Sequence, residues 1–182
     1  NALLGVANKL TLSDCLKSGM GEFTERYIEL HPSNKLKKVA ALNIVDNKIN
    51  FIDPQKVYLL RDTENYNINS FIDSSGTVYF TNVEDAIKKA FFEFIERQRL
   101  VYSFLREWPG KKINKRVVHN QLKPYSKFKF SNLMINDISI IKDIYVILFV
   151  GINRNSYNVG LGTDFNLLTA INNALAEGMG NS

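Results

Sequence analysis

Two Glu-x-x-Glu-Arg runs carry most of the chemistry available to this sequence: Glu22, Glu25 and Arg26 in the first, Glu93, Glu96 and Arg97 in the second. Glutamates three apart share one face of a helix, where like charges repel by roughly a few tenths of a kcal/mol. Their surroundings are small or apolar, with Gly19, Met20, Gly21 and Phe23 in one copy and Ala90, Phe91, Phe92 and Phe94 in the other. A carboxylate set among such residues needs a partner, because an unpaired buried charge is costly. Hard divalent cations, bound through carboxylate and phosphate oxygens, are a natural complement to converging acids. The arginines can then donate to phosphate oxygens in bidentate fashion.

These runs belong to a longer repeat. Aligning the segments that begin at Thr11, Asn82 and Asn166 places a small residue fifth (Cys15, Ala86, Ala170) and an aliphatic residue sixth (Leu16, Ile87, Ile171). A glutamate stands twelfth in each: Glu22, Glu93 and Glu177. A single Glu-x-x-Glu-Arg run is commonly a solvated charged face. Two in the same helix position, with a third glutamate in register, point instead to a shared site. The spacings are too unequal for a solenoid, so one domain with quasi-equivalent helices is expected.

The elements that must position these residues can be read along the chain. A first helix is expected over residues 11–30, capped by Thr11 or Ser13 and ended by His31-Pro32. Residues 38–51 read as two short strands around Asp46-Asn47-Lys48, and 56–60 as another strand. Residues 62–69 are polar and asparagine-rich, which predicts a loop. Ser74-Ser75-Gly76 predicts a turn, with a short strand over 77–80. The second helix should run from Asn82 to Leu105, where Trp108-Pro109-Gly110 stops it. Two strands are expected within 134–152, a glycine-bearing strand or turn over 157–162, and the third helix from Asn166 to at least Glu177. Strands alternating with long helices indicate an α+β or α/β domain.

Composition narrows the classes further. The chain of 182 residues is 45% hydrophobic, enough for one sizeable core. Its longest apolar run, 144–152, is too short to span a bilayer. No secretory signal pattern opens the sequence, and the lone Cys15 suits a reducing compartment, so a cytoplasmic location and no membrane partner are expected. His31 and His119 lack Cys or His neighbours at zinc-ligand spacing. Cys15 aligns with two alanines and reads as a small core residue. Gly160-Leu161-Gly162 lacks the lysine of a P-loop. The net charge of +5 is concentrated between Arg106 and Lys129, where Trp108, Tyr125 and Phe128 are interleaved with lysines. Such a stretch can bind single-stranded nucleic acid. That reading ranks lower, because a nucleic-acid module has no need of three matched acidic helices.

The motifs together resemble those of the YcaO family. Ser18-x-x-x-Glu22-x-x-Glu25-Arg26 is similar to its first signature, and Asp85-Ala86 through Glu93-x-x-Glu96-Arg97 to its second. Gly160-x-Gly162 leading to Ala174-Leu175-Ala176-Glu177 resembles the third. The resemblance implies an α+β, YcaO-type ATP-binding core with mixed β-sheets and three quasi-repeated acidic helices, in one domain over 1–182 that continues past Ser182. It implies ATP and Mg2+ as cofactors, with Glu22, Glu25, Glu93, Glu96 and Glu177 on the metal and Lys9, Ser18, Glu25, Arg26 and Arg97 at the nucleotide. It implies ATP-dependent activation of peptide backbone amides. The product is an azoline where a Cys, Ser or Thr side chain is the nucleophile, as in thiazole/oxazole-modified ribosomal peptides and bacteriocins, and a thioamide where sulfur comes from outside. A precursor peptide, a peptide-recognition protein and a homo-oligomer or hetero-complex are the implied partners; a scaffold without catalysis is the competing role. Two departures stand out. The family often has Gly-Lys-Gly where this chain has Ala7-Asn8-Lys9, and a glutamine where Gly178 follows Glu177.

Overall fold

The structure is a computed structural model that describes residues 11–30, 37–43, 45–54, 57, 75–114, 116–127 and 129–180. Lys9, His31-Pro32, residues 56 and 58–60 of the expected strand, the loop at 62–69, Ser74 and Phe128 lie outside the described residues; Val57, expected in that strand, stands in a turn, its amide donating to the Pro54 carbonyl at 3.0 Å. The elements present are helices α1 (Leu12–Leu30), α2 (Val83–Leu105), α3 (His119–Leu122) and α4 (Leu167–Gly180). The strands are β1 (Val39–Asn43), β2 (Lys48–Ile52), β3 (Lys111–Lys112), β4 (Asn132–Asp137), β5 (Tyr145–Ile152) and β6 (Tyr157–Asp164). The fold is α+β, and both of its sheets are antiparallel: β1-β2, and a four-stranded sheet ordered β3-β4-β5-β6.

Local chemistry sets the element ends. The Asn82 side chain accepts from the Asp85 amide at 2.8 Å and opens α2. Asn166 does the same for α4, accepting from the amides of Leu168 at 2.9 Å and Thr169 at 3.2 Å. At the β1–β2 hairpin, Asn47 takes a left-handed φ of 54°, a conformation asparagine tolerates better than most residues. Residues 77–80, expected as a strand, form none. They run as irregular backbone whose Tyr79 amide donates to a side chain of α1, so ladder pairing is replaced by a carboxylate acceptor.

Alternation along β5 and β6 sorts the sheet into two faces. Ile147 and Phe149 pair with Gly162 and Gly160, and this face meets α4. A methyl on Gly160 would run into the Ala174 carbonyl, and one on Gly162 into that of Ala170, so helix and strand touch through backbone. Gly178, which stands where the family often has glutamine, sits against Phe149 and Gly160 in the same close contact. The core lies here, with Ile147, Phe149, Ala170, Ile171, Ala174 and Leu175 fully buried. On the other face Val146 pairs with Thr163, and α2 packs there through Phe92, Glu96, Arg99 and Ser103, one helical stripe. Arg99 is 3% exposed; its Nε donates to the Ile138 carbonyl at 2.7 Å and its guanidinium lies over the rings of Tyr102 and Trp108.

Candidate functional site

β6 is the last strand of its sheet among the described residues, and helices from both faces send carboxylates to it. From α2, the Glu96 carboxylate accepts a hydrogen bond from the Thr163 hydroxyl at 3.1 Å. From α4, on the opposite face, Glu177 accepts the Leu161 amide at 2.6 Å. Leu161 and Thr163 stand two apart on one strand, so the two acids are brought to neighbouring places on the sheet's edge. Glu177 is exposed as a residue, while its carboxylate is turned onto the strand.

The electrostatics follow from that convergence. Glu96 is pushed up from 4.5 to about 7, first by burial and next by the charge of Glu177, with Glu93 adding a smaller push. The Thr163 hydrogen bond and Arg97 work in the opposite direction. Glu177 is raised as well, chiefly by burial, against the Leu161 amide and Arg97. Arg97 pairs with Glu93 one turn earlier at 3.6 Å. The site therefore gathers carboxylates with too little positive charge between them.

The first run sits differently. Arg26 pairs with Glu22, as Arg97 does with Glu93. Glu25 accepts the Tyr79 amide at 2.7 Å and lies 3.9 Å from Lys89 of α2, which ties α1 to α2 through the 75–80 segment. Gly76, with φ of 82°, lies against the Ala90 carbonyl and Phe94 of α2. Ser18 is half-buried on α1. The structure thus brings Glu93, Glu96, Arg97 and Glu177 into mutual influence and ties Glu25 to the same helix α2. Among the described residues no three acidic, imidazole or thiol side chains are grouped as ligands of one ion. The donor set still suits a hard divalent cation: oxygen ligands only, and a partly buried acid whose charge is incompletely balanced.

Sequence reasoning did not find Thr163, Lys89 or the amides of Leu161 and Tyr79. Only the glycine alternation at 160 and 162 hinted at the first of these. If those two positions face a helix, the side chain at 163 faces the other way.

Of the aromatic residues interleaved in the basic stretch, Trp108 and Tyr125 are among the described residues. Tyr125 and Phe130 pack against the core, Phe130 edge-on to Phe149 at 5.8 Å, and Trp108 covers Arg99. No helix among the described residues is long and apolar enough to cross a membrane.

An α+β protein with an antiparallel sheet between helices, and with acids from opposite faces meeting at its edge strand, is the class this geometry defines. A family comparison makes it specific. The family described as YcaO cyclodehydratase, ATP- and Mg2+-binding, matches residues 29–181, and the chain belongs to that family. No curated protein matches. Among solved structures, the chain is similar to YcaO from Methanopyrus kandleri bound with AMPPCP and Mg2+, at 12% identity and a TM-score of 0.75, over 93% of this chain and 52% of that one. It is similar to a heterocyclase in complex with substrate and cofactor, at 14% identity and a TM-score of 0.76, over 97% of this chain and 32% of that one. It also resembles the heterocyclase TruD, at 18% identity and a TM-score of 0.62, over 77% of this chain and 21% of that one. The chain spans about half or less of the length of these structures, and at such identities the likeness is one of fold.

Proposed function

We propose that this chain forms part of the ATP- and Mg2+-binding core of an enzyme that activates peptide backbone amides, with cyclodehydration of Cys, Ser or Thr in a ribosomal precursor peptide as the reaction. The observation that carries the reading is the meeting of Glu96 and Glu177 at the edge of β6, with Glu93 close enough to raise Glu96 further. Glu93, Glu96 and Glu177 would hold magnesium, with Glu22 and Glu25 contributing from α1. Arg97, Arg26, Ser18 and Lys9 are assigned to the nucleotide, with Glu25 shared between nucleotide and metal. Bound there, ATP would supply its γ-phosphoryl group to the amide oxygen, with ADP as leaving group, once the neighbouring side chain has added to the carbonyl carbon; loss of phosphate with that oxygen and of the amide N–H proton would leave an azoline.

The residues of this chain would act by placement and charge. Phosphoryl transfer needs aligned partners and neutralised phosphate oxygens more than covalent help from the protein. Arg97 and Arg26, each paired with a glutamate one turn back on a solvent-exposed helix face, can exchange that partner for phosphate oxygens. The peptide, and a partner protein that delivers it, belong to the same proposal. Exposed apolar residues on α1, such as Leu12, Leu16 and Met20, leave surface for such an association.

Calorimetry of ATP binding with and without magnesium tests the reading, repeated with Glu22→Gln and Glu93→Gln. Magnesium-dependent binding that both variants lose supports a nucleotide held between α1 and α2. A folded, full-length protein that binds no ATP would leave a YcaO-type scaffold as the better account.

A further inference from the structure

Thr163 is 4% exposed, and its hydroxyl is the neutral group that meets Glu96 across the α2–β6 interface. Its pairing with Val146 fixes which face of β6 it occupies. Threonine is stiff at χ1, so a buried threonine on a paired strand presents its hydroxyl in one direction. Glu96, on a long side chain, has no such constraint of its own. A hydroxyl that donates to one carboxylate oxygen leaves the other oxygen and further lone pairs free to face a cation. Two residues earlier on the strand the Leu161 amide holds Glu177 in the same manner.

We infer that Thr163 is a positioning residue: its hydroxyl orients the Glu96 carboxylate toward the cation shared with Glu177 at the edge of β6. The inference rests on the reading of these carboxylates as a metal site, and deepens it by naming what aims one of them. A purely packing role for Thr163 would require its methyl and volume, not its oxygen, and this separates the two roles experimentally.

Three variants isolate the oxygen. Thr163→Val keeps the shape and loses the hydroxyl. Thr163→Ser keeps the hydroxyl and loses the methyl. Thr163→Ala loses both, so Ser against Ala differs only in the oxygen and provides the comparison if the valine variant does not fold. Mn2+ binding is measured from the signal of the free ion by electron paramagnetic resonance, alongside the thermal midpoint of each metal-free protein. Thr163→Val and Thr163→Ala are expected to bind Mn2+ roughly ten- to a hundredfold more weakly than the parent, the usual cost of removing a group that orients a ligand. Thr163→Ser is expected to bind within about threefold of the parent although its thermal midpoint falls, because it loses a buried methyl. Affinity that follows the methyl, with valine like the parent and serine as weak as alanine, overturns the inference while leaving the metal site standing. A folded parent protein that binds no Mn2+ overturns the metal reading and this inference together.

Discussion

At the edge of β6, Glu96 meets a neutral hydroxyl and feels two other acids, whereas on α1 Glu22 is paired with Arg26 and Glu25 stands between a backbone amide and Lys89. The two Glu-x-x-Glu-Arg runs are alike in sequence, and their first glutamates are alike in structure, each paired with the arginine one turn on. Their second glutamates differ because α2 lies on the four-stranded sheet and α1, among the described residues, does not. Burial and acid neighbours make Glu96 the residue where a cation would gain most; positive partners already balance much of the charge on α1.

The largest expected effect separates the two second glutamates. Glu96→Gln should weaken magnesium-dependent ATP binding by more than about a hundredfold, or roughly 3 kcal/mol, beyond the usual range for groups that only orient a ligand. Glu25→Gln should cost about tenfold by the same calorimetry. Equal losses would break the comparison.

Next in size is packing. Gly162→Ala drives a methyl into the Ala170 carbonyl and should cost about 1–3 kcal/mol, read as a fall in the denaturant midpoint.

The pH dependence of the metal-free protein comes third. An acid whose folded pKa of about 7 lies above its ordinary 4.5 keeps its proton better folded than unfolded. Stability should therefore rise as the pH falls through 7 and level off below 4.5. Glu177, raised in the same direction, adds to the slope. Thermal midpoints at pH 8 and pH 5.5 test this: Glu96→Gln should flatten the difference.

The smallest effect has the opposite sign. Gly21 lies within α1, and among the described residues a methyl there would meet Tyr79 Cδ1 at 3.8 Å, an ordinary contact. Gly21→Ala should stabilise by about 0.5–1 kcal/mol through helix propensity, read as a small rise in the denaturant midpoint. A glycine substitution that helps on α1 and harms on β6 would sharpen the contrast between an open helix face and a closed contact.

The repeat shows how far sequence reaches. The sixth place holds Leu16, Ile87 and Ile171, which are 58%, 52% and 0% exposed. One aliphatic pattern thus produces two surface positions and one core position, since only α4 has the glycine-lined strand to lie against. The small residue in fifth place behaves likewise: Ala170 is fully buried, whereas Cys15 is half-buried, so its expected place in the core is only partly met.

Helices α1, α2 and α4, strands β4 to β6 and the α+β class were legible along the chain, because period and turn chemistry act between residues close in sequence. The acidic repeat and the family resemblance were legible too, as residue types at fixed spacing. The burial of Glu96, its coupling to Glu177 and the contact with Thr163 were decided only by the tertiary structure. Glu96 and Thr163 are 67 positions apart and meet because α2 packs on one face of a sheet whose edge strand is β6. Charge balance in a site depends on distance and solvent access, and neither is written in the local order of residues.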